Sequence, residues 1–293
     1  MSYQSMNEAK ERCEREEIPF WKAIQLEDAE ERGIEVEDSW NKMKYMWQSM
    51  LDALDAYEPD LISRSGLVGK EGGLMEAYRE KGNTLCGDFM AKVMTNALKM
   101  GCNNACMKRI VAAPTAGSCG VIPAVLISME EKDGYSQQKM IEALFVSAGI
   151  GEVISERASI SGAQGGCQAE IGAASAMAAA AVTYLKGGSS RQIADAAALA
   201  LKSLLGLVCD PVAGLVEVPC VKRNVIGAVN AITSSDMVIA GIESRIPADE
   251  VIDAMGEVGS LLPCSLKETS QAGLATTPTG LKVTERMAGN GFD

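Results

Sequence analysis

An all-helical fold is predicted for this 293-residue chain by three features of its sequence. Apolar side chains recur at helical spacing, alternating runs of Val, Ile, Thr and aromatic residues are scarce, and glycine and proline punctuate successive periodic stretches. The first two helices, 7–17 and 19–33, are strongly charged; Asn7 is placed to cap the first, while Pro19 opens the second and Gly33 ends it. A third, 38–57, carries Met43, Met46, Trp47, Met50, Leu51 and Leu54 at helical spacing, which marks a core-facing stripe. Between 59 and 73 the period fails and four glycines accumulate, so a loop is expected there. Further helices are predicted over 73–81, 86–100, 120–132, 137–157, 167–186, 191–205, 221–241 and 248–261. The alanine-dominated stretch 173–185 is too short for the roughly 20 apolar residues of a membrane span and reads as a buried helix. No repeat of constant period is present, which excludes a solenoid.

The formal charge of −12 is concentrated at the front: residues 1–60 hold sixteen acidic and seven basic side chains, leaving about −3 to the other 233. This region is expected to be an acidic, solvated layer of helices packed on the same body as 61–293. Nucleic acid is excluded as a partner, because phosphate binding requires clustered Lys and Arg. The sequence near Met1 lacks the basic start, apolar stretch and cleavage site of a signal peptide. With nine cysteines, an odd number, a reducing cytoplasmic setting and no disulfides are expected, and no membrane association.

The cysteines fall into classes. Cys13 and Cys86 sit in or at charged helices, and Cys264 follows a proline in a loop. Cys102 and Cys106, four apart with no third cysteine close by, read as structural. Cys167, Cys209 and Cys220 instead lie in glycine- and proline-rich turns where helices begin or end, so that backbone N–H groups can face anionic sulfur. Their gaps of 42 and 11 residues match no generic zinc or ferredoxin spacing, so a three-thiolate metal site and ordinary buried thiols both remain open. Cys119, in a glycine turn before a helix, suits a low-pKa thiolate and is a rival ligand.

Longer motifs narrow this. The runs Ser-Gly-Ala-Gln-Gly-Gly-Cys-Gln-Ala-Glu within 158–170 and Cys-Asp-Pro-Val-Ala-Gly-Leu-Val-Glu-Val-Pro-Cys-Val-Lys-Arg-Asn within 206–224 resemble the α subunit of iron-sulfur-dependent L-serine dehydratases. The resemblance extends to Ala-Pro-Thr-Ala-Gly-Ser-Cys-Gly from 113 and Ala-Gly-Leu-Ala-Thr-Thr-Pro-Thr-Gly over 272–280, and is loose over about the first 60 residues. It implies a multi-helix catalytic domain of the serine dehydratase α-chain type, with glycine-rich turns gathered around a 4Fe-4S cluster. The implied ligands are Cys167, Cys209 and Cys220, which leave one iron open as a Lewis acid for L-serine, deaminated to pyruvate and ammonia. By the same resemblance Cys119 drops out of the ligand set. Residues 287–293 contain no cysteine, so the cysteine-bearing tail of some single-chain members is expected to be absent.

Removing serine's weakly acidic α-proton requires a base, and the sequence contains no histidine. The resemblance implies that a separate β subunit, with a histidine-bearing loop, supplies it in an α/β hetero-oligomer. For substrate contacts, the turns holding Thr115, Gly117 and Ser118 and Ser159, Ser161 and Gly162 offer hydroxyls and N–H groups to a carboxylate, though helix capping uses the same residues. Lys222, followed by Arg223 and Asn224, is a candidate cation beside the cluster or carboxylate. Pyridoxal phosphate is not expected, since no lysine has a Schiff-base setting and strands are missing. Two alternatives remain: an L-cysteine desulfidase of the same fold, and a non-enzymatic zinc or thiol protein.

Overall fold

The computed structural model describes residues 3–289; the first two residues and 290–293, which include the end of the cysteine-free tail, lie outside the described residues. Among the described residues there are thirteen α-helices and no strand, only an isolated parallel bridge between Cys209 and Lys267.

The N-terminal layer comprises α1 (Met6–Glu16), α2 (Phe20–Arg32) and α3 (Val36–Asp55). Ser5, not Asn7, caps α1: its backbone is extended, as a cap requires, and its hydroxyl accepts from Glu8 N. Asn7 already lies inside the helix and donates to Glu11. Pro19 stands just before α2, and Gly33 closes it at φ +60°. Arg12 gathers the acidic surface by pairing with Glu27 at 2.9 Å and Glu30 at 2.7 Å. The inner face joins the main core. Trp40 stacks on Phe145 at 6.0 Å, and Tyr3, Met6, Phe20, Ile24, Trp47 and Met50 share one buried cluster with residues from the rest of the chain.

The next helices are α4 (Glu71–Glu80), α5 (Gly87–Ala105), α6 (Val121–Asp133) and α7 (Gln137–Arg157). Helix α5 runs past the predicted end at 100 because Gly101 is buried against Val221 and does not break the helix. The predicted helix 167–186 is interrupted. A short α8 (Gly162–Gly165) precedes Cys167, a single π-helical turn covers Gln168–Gly172, and only then does α9 (Ala173–Leu185) begin. Helix α9 coincides with the expected alanine stretch, contacts α6, α7 and α10 (Ser190–Lys202), and packs on α11 (Cys220–Ile239). Its small side chains let four neighbours approach closely, which larger residues would prevent. The chain continues through α12 (Ala248–Leu261) to α13 (Pro278–Gly289), which was not predicted. The signal for α13 is local: the Thr277 hydroxyl accepts from Gly280 N, so Thr-Pro forms a cap and first turn. No helix among the described residues is long and apolar enough to cross a membrane.

Trp47 is fully buried, yet its indole N–H has no partner. Trp47→Ala is expected to destabilise the fold by about 3–5 kcal/mol through the cavity it leaves. Trp47→Phe, which removes the unmatched donor along with some volume, should cost less. Denaturant midpoints at constant m-value check both.

Candidate active site around Cys167, Cys209 and Cys220

The three cysteines arrive from separate elements. Cys167 directly precedes the π-helical turn, a feature that often marks functional sites. It is held there by Gly166, which adopts φ +74°; a Cβ on Gly166 would stand 2.8 Å from Leu262 and 3.0 Å from the Leu207 carbonyl. Cys209 lies in an extended segment whose N–H donates to Leu266 O at 2.9 Å and whose carbonyl accepts from Glu268 N at 2.9 Å. Cys220 opens α11, so Arg223 and Asn224 follow it on the same face, three and four residues on.

These elements are cross-linked by polar side chains. Arg223 donates from Nη1 to Val208 O at 2.8 Å and from Nη2 to Asp210 Oδ1 at 2.9 Å. Asp210 Oδ2 accepts from Leu274 N at 2.9 Å, which anchors the 272–280 motif over the Cys209 segment. Asn224 accepts from Gly120 N and donates to Gly117 O, both at 2.8 Å, which fastens the 115–120 turn to α11. On the outer side, Ser63 Oγ and Ser65 Oγ both donate to the buried Glu217, three residues before Cys220.

The interaction between Cys167 and Cys209, with Arg223 nearby, holds the Cys167 thiol below its ordinary value despite burial, while the same interaction and burial push Cys209 up. Cys220 is pushed up to about 12 by burial and by the negative charge of Cys167. The three sulfurs thus feel one another electrostatically. No group of three or more cysteine, histidine, aspartate or glutamate side chains among the described residues is drawn together tightly enough to hold a metal ion as it stands.

Sequence reading overlooked the carboxylate at the centre of this group. Glu170, on the π-helical turn three residues after Cys167, is raised by burial; the Thr115 hydroxyl opposes that shift and Glu268 adds to it. Thr115 Oγ1 donates to Glu170 Oε1 at 2.8 Å. A Cβ on Gly162 would meet Glu170 Oε2 at 2.6 Å and Cys209 Sγ at 3.2 Å, so this carboxylate oxygen and the sulfur flank a position only glycine can fill. The Gly117 position is 3.3 Å from Oε1 by the same construction. The three-residue interval between Cys167 and Glu170 was a usable helical signal.

The other expected residues divide. Thr115, Gly117 and Gly162 surround Glu170, and Ser118 is buried with its hydroxyl 3.1 Å from that of Thr115. Ser159 is committed to Gln164 Oε1 at 2.8 Å and lines a 140 Å³ cleft with Met255 and Ser260; Ser161 offers its N–H to Ser159. Lys222 pairs with Glu71 at 2.5 Å and is half exposed, so Arg223 is the cation whose charge reaches Cys167. Cys119 does not have the low-pKa character its turn suggested: its sulfur is buried facing Met100 O, and burial pushes it up to about 12. Cys102, likewise pushed up to about 12 by burial, faces Glu71. All nine cysteines are unpaired. Larger clefts, such as the 390 Å³ one lined by Lys10, Arg191, Glu243 and Arg245, are ion-paired seams without a thiol.

The profile of the family described as serine dehydratase alpha chain matches residues 5–275. The chain is 47% identical over 253 residues to the "Probable L-serine dehydratase, alpha chain" of Bacillus subtilis (strain 168), covering 86% of this chain and 84% of that one. It is 48% identical to the L-serine dehydratase, alpha chain, of Peptoniphilus asaccharolyticus, over 70% of both chains. It is 45% identical to L-serine dehydratase TdcG of Escherichia coli (strain K12) over 61% of this chain, but only 40% of that protein. With its helices, its central motifs and most of its length accounted for in this way, the chain belongs to the serine dehydratase alpha chain family.

Proposed function

We propose that the chain is the α subunit of an iron-sulfur L-serine dehydratase in which Cys167, Cys209 and Cys220 hold a 4Fe-4S cluster. The observation that carries this reading is the convergence of three thiols, from segments 42 and 11 residues apart, into one electrostatic neighbourhood with one carboxyl and one guanidinium. The donor set fits such a cluster: it is all sulfur, buried or half-buried, and includes a thiol held below its ordinary value with a guanidinium nearby. The cysteines of a cluster bind separate iron atoms, so the absence of a point of convergence for a single ion does not conflict with it. When bound, the cluster supplies an iron without a protein thiolate, a Lewis acid for the carboxylate and hydroxyl of serine.

The chain's own residues then divide the remaining work. On this reading serine docks against the 115–118 turn and Gly162, which surround the Glu170 carboxyl. Glu170 Oε1 is occupied by Thr115, which leaves Oε2, beside Gly162, to carry a proton. A carboxyl raised by burial is suited to protonate the departing hydroxyl of serine as water. The α-proton goes to a base on a β subunit, since the chain has no histidine. The aminoacrylate left behind tautomerises to an imine, which water converts to pyruvate and ammonia. That the relatives from Bacillus subtilis (strain 168) and Peptoniphilus asaccharolyticus carry the name alpha chain supports a second polypeptide in an α/β hetero-oligomer. The nine free cysteines fit a reducing, cytoplasmic setting, and the acidic helices of 1–60 belong to the same body as the catalytic residues.

Anaerobic reconstitution with iron and sulfide tests this. About four iron and four sulfide per chain are expected, with an iron signal perturbed by L-serine. Pyruvate should form efficiently only with the β subunit present. One zinc and no sulfide would refute the cluster; full activity without a β subunit would refute the partner. More sulfide from L-cysteine than pyruvate from L-serine would assign the desulfidase reaction instead.

A further inference from the structure

We infer that Arg223 is a positioning residue that braces the helix of Cys220 against the segment of Cys209 and retains the cluster by holding a fixed positive charge beside the three thiols. It projects from α11 one turn after Cys220. Its guanidinium binds Val208 O and Asp210 Oδ1, the residues on either side of Cys209, and its positive charge acts on Cys167. One side chain therefore ties the helix of Cys220 to the segment of Cys209 while its charge is felt at Cys167. Neither end is free to move: Arg223 is 14% and Asp210 5% exposed in their side chains, and Asp210 is gripped from behind by Leu274 N. A guanidinium suits this place because its planar fork can serve a carbonyl and a carboxylate at once, which an ammonium cannot do in fixed geometry. Lys222, the neighbouring cation, is tied to Glu71 and cannot substitute.

This inference rests on the proposed cluster, and its test separates the two. Wild type, Arg223→Gln, Arg223→Lys and the double variant R223Q/D210N are reconstituted anaerobically. The double variant removes both charges, so that no carboxylate is left buried alone. Circular dichroism confirms folding, and two properties are then read: the rate of iron loss to a chelator and the reduction potential of the cluster. Loss of an outer-shell partner of this kind weakens metal retention by roughly 10–100-fold, and that acceleration of iron loss is expected for R223Q and the double variant. The potential should fall in R223Q, because positive charge near sulfur stabilises the reduced cluster, and fall less in the double variant, where loss of the Asp210 charge partly offsets that of Arg223. R223K should recover the potential in part while still losing iron faster than wild type, since it restores the charge but not the fork. If wild type takes up no cluster, the proposed function fails. If wild type takes it up and the folded double variant matches it in both properties, the role of Arg223 fails.

Discussion

Serine substitution of Cys167, Cys209 or Cys220 should each abolish L-serine deamination, with activity down by roughly three orders of magnitude or more, because several kcal/mol of Lewis-acid stabilisation disappears with the iron. The three variants are not expected to behave alike as proteins. Cys167→Ser replaces a buried thiol that interacts with Cys209 and the Arg223 charge, so the apo chain should lose stability as well as iron. Cys220 is only half-buried, so Cys220→Ser should unfold close to wild type while still failing to retain a full cluster. Cys86→Ser, at an exposed position, is the control that should keep both iron and activity. Iron content, sulfide content and pyruvate formation decide; a C220S protein with four iron and normal turnover would remove it from the ligand set.

Glu170→Gln should lower kcat by about 10²–10⁴-fold with a smaller change in KM, the range for loss of a positioned proton donor. It should at the same time stabilise the apo protein at neutral pH. The sign follows from burial. The folded-state value of Glu170 is raised above its unfolded value, so the stability linked to its protonation is fully present below the ordinary carboxylate range and is lost as pH rises through the raised value. A glutamine carries no such penalty. The gap in unfolding midpoint between E170Q and wild type should therefore open with rising pH above about 4 and close in acid. Activity lost with no gain in midpoint at neutral pH would mean that Glu170 is well accommodated as a carboxylate, contrary to an acid role.

The helical class and the positions of most helices were legible because the apolar period is strong where helices are amphipathic, as in α3, or wholly buried, as in α9. What failed was local. Asn7 and Ser5 both offer a capping side chain, and only the backbone angle of Ser5 decides between them. The stretch from 167 has continuous helical periodicity, which conceals the π-helical turn because an inserted residue changes direction without changing composition. The thiols were legible as chemistry but not as partners: nothing in the spacing says that Cys209 interacts with Cys167 while Cys119 faces Met100. Glu170 was overlooked, and Lys222 was put forward ahead of Arg223, for a related reason. Each is an ordinary charged residue in sequence, and becomes distinctive only through burial and through what faces it.

The alanine helix α9 has a consequence for the site that precedes it. Alanine has no rotamers, so the run 178–181 of this helix has no side-chain degrees of freedom with which to absorb a disturbance. An added methyl there displaces α6, α7, α10 or α11, and α11 carries Cys220 and Arg223. The part of the chain with the least chemical character is thus the part with the least latitude. Among buried positions, substitutions tolerated in a library should be rarer across Ala173–Leu185 than across the methionine-rich inner face of α3, although no residue of α9 performs any chemistry.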